Sequence, residues 1–296
     1  MGFPGTDLAV STEASRRLSG LADRIGFKDE TGGRRGGSRV FVACSTLCFA
    51  GESLEKALRQ IAELEFDKFE LAVVEDGTHL KPSEIGDNID AALVRLRRGP
   101  SLSPSSVYLD FGALDAIPHA TLLKRFESNC RLAKALGVAV LTTNAAPAGS
   151  SFDAEVQRLA SLASHATREG LVLSVLTHSE SITGDPALAL KLCKTIPTLG
   201  LTLDPSHFIQ GPFRGADIDP LIPYVQNVHF RDTGKDPNAF QVRVGQGEVE
   251  YGKIVTQLQR CGYKRALTVC IVDRPDNPFD REVEVRKLKL LLESLL

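Results

Sequence analysis

The sequence predicts a (β/α)8 barrel preceded by an N-terminal extension. Short apolar runs recur eight times from Val40 onward. Most are rich in Val and Leu with little alternation, the pattern of strands buried on both faces. Amphipathic helical stripes separate most of them. Residues 39–296 also match the roughly 250 residues of a single barrel. An open, doubly wound sheet is the structural alternative.

Residues 1–38 read as an extension. A short amphipathic stretch, Glu13 to Ile25, leads into the Gly/Arg run Thr31–Arg39, a flexible linker by composition. Its arginines suit a phosphate-seeking arm or, more plainly, a solvated linker. Asp7 stands where a signal peptide would be apolar. Gly2 followed by Thr6 fits the myristoylation pattern, but no polybasic second signal adjoins it.

The expected strands are Val40–Cys44, Phe69–Val74, Val107–Phe111, Val138–Thr143, Leu171–Thr177, Leu201–Asp204, Val225–Phe230 and Ala266–Val272. Leu54, Leu58, Ile61 and Ala62 mark the first helical stripe. Leu122, Leu123, Phe126, Cys130 and Ala133 mark another, ended by Gly137. A helix is expected from Asp153 to about Arg168, closed by Gly170. Others run from Tyr251 to Cys261, closed by Gly262, and from Glu282 to Leu296. Arg95–Arg98 reads as an exposed helix end, and His79, His119 and His165 as structural or surface residues.

Charge and composition bound the function. The 296 residues carry 35 Lys+Arg and 37 Asp+Glu, a net charge of −2. That balance gives no electrostatic footprint for a phosphate backbone, so nucleic acid is not an expected partner. No run approaches the roughly 20 apolar residues that span a bilayer. The six cysteines are Cys44, Cys48, Cys130, Cys193, Cys261 and Cys270. The last four fall in apolar periodic runs, as small hydrophobes do. Cys44 and Cys48 lack the C-x-x-C redox spacing, and no second ligand pair marks a zinc site. Reduced thiols and a cytoplasmic location are expected.

In a barrel the chemistry sits at the C-terminal strand ends. There the sequence places Val175-Leu176-Thr177-His178, Leu203-Asp204-Pro205-Ser206-His207, Val228-His229-Phe230-Arg231-Asp232 and Thr268-Val269-Cys270-Ile271. Val242 to Val249 lies between the last two strands. Three histidines, two arginines and an aspartate converging on one mouth suggest a site. Each histidine alone is equally compatible with a structural role.

These motifs resemble the xylose isomerase-like barrels, the sugar phosphate isomerase/epimerase group that also includes endonuclease IV. The resemblance covers about residues 40–296. It includes Ser45-Thr46-Leu47, Ser53 to Leu58 and Phe69-Glu70-Leu71, and is strongest in Asp204–His207, His229–Asp232 and Gly245–Tyr251. It implies one divalent metal, Zn or Mn, with Asp204 and His229 as two of its ligands and His207 near substrate. Two glutamates that the resemblance places on strands five and eight, as ligands and as acid and base, are replaced by Leu176 and Cys270. A hard cation wants about six oxygen ligands, and leucine cannot abstract a proton. Asp204, His229, Cys270 and His178 would make a tetrahedral set suited to zinc. Otherwise Cys270 is a small core residue and no metal binds.

The candidate catalytic residues are therefore His207, Cys270 and Glu248, with Glu248 equally readable as a solvated loop residue. His178, Arg231 and Arg243 are candidates for substrate binding; an arginine fork suits phosphate or carboxylate, while rim pairs with Asp232 or Glu248 are the plainer alternative. Glu180 and Asp273 are nearby carboxylates that reach the site only if their loops fold back.

The leading expectation is a sugar or sugar-phosphate isomerase/epimerase with a degenerate metal site. The alternative is a non-catalytic carbohydrate- or phosphate-binding barrel. An abasic-site endonuclease ranks last, because Val73-Val74-Glu75 and Asp110-Phe111-Gly112 supply none of the histidines that branch needs. The expected partner is a small carbohydrate or sugar phosphate, with a homodimer as the expected assembly and no membrane.

Overall fold

A computed structural model describes residues 39–86, 88–275 and 277–296. Its eight parallel strands close in sequence order. They are β1 (Phe41–Ser45), β2 (Lys68–Val74), β3 (Ser103–Asp110), β4 (Val140–Thr143), β5 (Val172–Leu176), β6 (Leu199–Leu203), β7 (Val225–Phe230) and β8 (Ala266–Val269). The seam between β1 and β8 runs from Phe41↔Ala266 to Cys44↔Val269. Closure leaves no unpaired sheet edge, which sets the open-sheet alternative aside. Each of the eight apolar runs holds one strand. The largest boundary difference is in β3, where Ser103, Pro104 and Ser106 already pair with β2.

Helices α1 (Leu54–Glu63), α2 (Pro82–Ile85), α3 (Ile89–Arg97), α4 (His119–Ala135), α5 (Phe152–Arg168), α6 (Pro186–Thr195), α7 (Ser206–Ile209), α8 (Tyr251–Arg260) and α9 (Arg281–Ser294) follow the strands. Ser53 caps α1 through the Lys56 amide. Ser151 caps α5 through the Ala154 amide, so that helix opens at Phe152 rather than Asp153. The sequence reading missed α6, although Asp185 caps it and Pro186 opens it. Between β6 and β7 the chain forms a 3-10 turn, Asp219–Tyr224, instead of a long helix. Pro223 inside it removes a backbone donor and prevents α-helical continuation.

The helices pack apolar stripes onto the outside of the barrel, where Leu54, Leu58, Ile61, Leu122, Phe126 and Leu132 are buried. This burial is the main source of stability. The barrel lumen is unusually polar. Thr142, Ser174 and Thr202 form a buried hydroxyl cluster, with Oγ1–Oγ1 2.7 Å between Thr142 and Thr202 and 2.8 Å from Ser174 to Thr202. Glu70 lies in the same lumen with Ser106 and Asn227.

All six cysteines are free. Five are buried, but Cys261 is exposed beyond the end of α8, so its place in an apolar run does not make it core. No described helix is long and apolar enough to cross a membrane. The readings of residues 1–38, including Gly2, Thr6 and the Glu13–Ile25 stretch, fall outside the described residues.

Candidate active site at the barrel mouth

The site is built around Asp204, the first residue after β6. Its backbone amide donates to Thr177 Oγ1 at 2.8 Å, which fixes it against the end of β5. Its Oδ1 accepts from the Ser206 amide at 3.1 Å and the Ser206 hydroxyl at 2.5 Å. The Arg231 guanidinium donates to Oδ2. Both partners are buried, and an uncompensated charge there would be costly. Burial pushes the Asp204 carboxyl up, but Arg231, His207 and the Ser206 hydrogen bond together hold it below its ordinary value.

Arg231 lies two residues after His229 and projects into the same mouth from the end of β7. Its Nε donates to Ser206 Oγ at 3.1 Å. Its guanidinium carbon lies 4.6 Å from the Phe240 ring centre, a cation–π contact. Ion pair, hydroxyl and ring together give the head group one orientation.

His207, on the short helix α7, packs beside His178, with ring centres 4.0 Å apart. Burial drives the His207 pKa down to about 3, against the pull of Asp204. The ring is thus neutral near pH 7. Its Nδ1 lies 3.1 Å from Ser179 Oγ and its Nε2 3.4 Å from Arg231 Nη2. With Arg231 as donor, Nε2 is the acceptor and the proton sits on Nδ1. Burial also lowers the His178 pKa. His178 stands half-buried just past β5 and accepts the Glu180 amide on its own Nδ1 at 3.2 Å.

His229 looks the other way, down into the lumen. Its Nε2 is 2.8 Å from Glu70 Oε1 and 3.1 Å from Oε2. Oε2 also accepts from Asn227 Nδ2 at 2.7 Å and Ser106 Oγ at 2.9 Å. Burial opposes both charges. The imidazolium and the hydrogen bonds nonetheless lower the Glu70 pKa. Glu70, together with the Cys270 sulfur, raises that of His229 well above its usual range. Cys270, the first residue after β8, is hydrogen-bonded to the same imidazole. Glu70, His229 and Cys270 therefore form a chain from lumen to mouth.

One wall of the mouth is apolar. Leu176 packs with Ala72 and Tyr108, flanked by Leu47 and Val74. Tyr108 lies edge-on to His229, with ring centres 6.0 Å apart, and its hydroxyl donates to Asn144 Oδ1 at 3.0 Å. The position where family resemblance puts a glutamate is therefore part of a hydrophobic patch.

The structure thus brings His178, Asp204, His207, Arg231, His229 and Cys270 together. It does not bring in Glu248 or Arg243, both of which are exposed on the rim. Glu248 instead pairs with Lys235 at 2.8 Å. Asp273 binds the Gly51 amide and Arg281, and Glu180 is exposed. Asp232 fastens the rim loop by accepting the Gly245 and Gly247 amides on Oδ2, at 2.7 and 3.1 Å. Gly245 adopts φ +88°, a conformation that glycine takes without strain.

Sequence reasoning did not assign roles to Glu70, Tyr108, Asn144 or Phe240. Glu70 had a readable signal, a lone carboxylate inside an apolar strand run. Phe240 had none, since only the folded loop sets it over Arg231.

The donor set fits a divalent metal poorly. Asp204 is already neutralised by a guanidinium. The Nε2 of His229 is committed to Glu70, and Leu176 offers no donor. Among the described residues no group of three or more His, Cys, Asp and Glu is placed to hold a metal ion. Zn and Mn both need more anionic or neutral donors than remain.

The family model described as the xylose isomerase-like TIM barrel matches residues 58–292. The chain belongs to the xylose isomerase-like TIM-barrel family. Solved structures agree on the fold of this xylose isomerase-like barrel. One is a xylose isomerase-like TIM barrel protein from Mycobacterium smegmatis in complex with magnesium. It has TM-score 0.68 and 18% identity, covering 86% of this chain and 97% of that one. Another is D-allulose 3-epimerase from Methylomonas sp., with TM-score 0.66 and 17% identity, covering 89% and 100%. A third is the IOLI protein with a bound zinc atom, with TM-score 0.65 and 18% identity, covering 87% and 97%. At these identities the likeness speaks for the fold. No curated protein matches in sequence.

Proposed function

We propose that this barrel is a sugar or sugar-phosphate isomerase or epimerase with a degenerate metal site. The observation that carries the reading is the convergence of Arg231, Asp204, His207, His178 and Cys270 at the C-terminal mouth. Isomerases and epimerases of small carbohydrates act by moving a proton next to a carbonyl. That chemistry needs a proton-transfer group and a partner for the oxygen on which charge develops. Cys270, braced by His229 and Glu70, occupies the strand-eight position that the family resemblance assigns to a glutamate. It is the residue to which we give the proton-transfer role. His178, with its Nε2 left over, binds a substrate hydroxyl, and His207 holds His178 and Arg231 in place. The structural relatives D-allulose 3-epimerase and L-ribulose 3-epimerase support the substrate class.

The test is turnover of a panel of ketoses, aldoses and their phosphates by the full chain and by Cys270→Ser and His207→Ala variants. Turnover lost in both variants supports the reading. Turnover that survives in both removes these residues from the site. The second reading, a non-catalytic carbohydrate-binding barrel, is favoured by the packing of Leu176 on Ala72 and Tyr108. It predicts saturable binding with no product.

A further inference from the structure

We infer that Arg231 takes the place of the divalent cation in this barrel and binds the carbonyl oxygen of an α-hydroxy-carbonyl substrate. The inference rests on the carbohydrate reading above for its ligand, but not for its electrostatics. Asp204 is fully buried and needs a counter-charge. The guanidinium supplies it, hydrogen-bonded to Oδ2 and to Ser206 Oγ, and Ser206 in turn binds Oδ1. A metal bound through the same carboxylate would have to displace that group.

The same rearrangement explains the two lost carboxylates. A divalent ion there would meet Leu176, which has no donor atom, and His229, whose Nε2 is held by Glu70. A guanidinium carries only one positive charge and needs only one carboxylate to balance it. The observed set therefore matches a monovalent cation in charge. Leu176, Ala72 and Tyr108 give the mouth an apolar wall, and polarisation of a ligand by a fixed N–H is strengthened where water is excluded.

The guanidinium also has a donor to spare. Nε and Nη2 are used by Ser206, Asp204 and His207, whereas Nη1 makes no hydrogen bond among the described residues and is not among their buried unsatisfied atoms. Phe240 stacks on one face and prevents the head group from swinging out. An oxygen bound at the guanidinium would lie near His207, whose Nε2 is 3.4 Å from Nη2, and near His178 packed beside it. His178 uses Nδ1 to accept the Glu180 amide, which leaves its Nε2 to donate to the adjacent hydroxyl.

The experiment uses the purified full chain, equilibrated with Mn2+ or Zn2+ and then freed of loose metal. Metal per chain is measured by mass spectrometry, and turnover of D-allulose, D-fructose, L-ribulose and their phosphates is followed with and without excess chelator. The wild-type chain is expected to retain no stoichiometric metal, and chelator should leave turnover unchanged. Arg231→Lys keeps a positive charge but loses the fork. It should lower kcat/KM on the order of 100-fold, mainly through kcat. Its thermal melt reports whether the fold is kept, and Arg231→Met with Asp204→Asn provides a charge-balanced second variant with the same expected loss. One metal held per chain and released in Asp204→Asn would overturn the inference, as would turnover abolished by chelator. Either result leaves the carbohydrate reading intact. Conversely, no turnover and no binding across the panel by a metal-free chain would sink the carbohydrate reading. Asp204 would then still be shown to be balanced without a metal, but the assignment of the substrate carbonyl to Arg231 would be overturned.

Discussion

Glu70 and His229 face each other across the closed barrel, with Oε1 2.8 Å from Nε2, although they lie 159 positions apart in the chain. The contact joins β2 to β7 through the lumen rather than through the sheet. Its carboxylate is buried and also accepts from Ser106 and Asn227. Removing one partner should leave a buried charge without compensation. Glu70→Ala is expected to cost about 3–5 kcal/mol of unfolding free energy. Urea denaturation checks this. Glu70→Gln with His229→Gln should be less destabilising than the two single losses added together, and strict additivity would show that the pair is not coupled.

The pH dependence of stability should have a maximum near pH 6.5. The unfolded chain protonates His207 near 6.5, whereas the folded chain resists until about 3. Stability from this group is present above 6.5 and is lost as pH falls towards 3. His229 acts in the opposite sense. Its folded pKa is raised, so its contribution is present below 6.5 and disappears as pH rises through the folded value. Glu70, with a lowered folded pKa, adds a further loss at the acid end. His207→Asn should flatten the limb between 6.5 and 3, removing up to about 1.4 kcal/mol per pH unit. A melting profile unchanged in that variant would contradict the assignment.

Gly247→Ala tests the rim loop. An added Cβ would overlap the Asp232 carboxylate, which holds the Gly245 and Gly247 amides. The expected loss is about 1–3 kcal/mol, the cost of leaving buried polar groups unpaired. Faster amide exchange at Gly245 and Thr233, with unchanged exchange in β4 and β5, is the diagnostic pattern.

Thr202→Val probes the lumen. Thr202 Oγ1 contacts both Thr142 and Ser174. The variant keeps the shape but removes the shared partner, and should cost about 1–2 kcal/mol by chemical denaturation. A neutral result would mean that the Thr142–Ser174 contact at 3.3 Å and the Ser174 bond to the Leu141 carbonyl at 3.1 Å suffice without Thr202.

The fold was readable because short runs rich in Val and Leu recur between helical stripes, and even β7, where Gln226, Asn227 and His229 interrupt the apolar residues, has its observed limits, Val225–Phe230, equal to the expected ones. The helix α6 escaped because Ala187 to Leu190, Leu192 and Cys193 make it apolar round most of its circumference, so no single stripe stands out. The site was readable as a set of strand-end residues. Asp204, His207 and Arg231 all reach one mouth. Their pairing was not readable, because Arg231 choosing Asp204 over the rim acids depends on how far Asp204 is buried. Likewise, Glu70 sits in a motif noted for its resemblance, but its partner is fixed only when β2 and β7 are brought opposite each other by closure. The exposure of Glu248 and Arg243 follows from Asp232 pinning the loop backbone, which turns their side chains outward.

The β1–β8 seam also governs the order in which the barrel can be assembled. The two strands that complete the ring are the first and last made, so during synthesis the growing sheet carries two open edges until β8 emerges. Glu70 has no imidazole until β7 appears, and the ring cannot shut around that pair until β8 is available. A nascent chain paused before Ala266 should therefore bind chaperones through those edges, and release from the pause should bring strand closure and burial of the lumen charges in a single cooperative step.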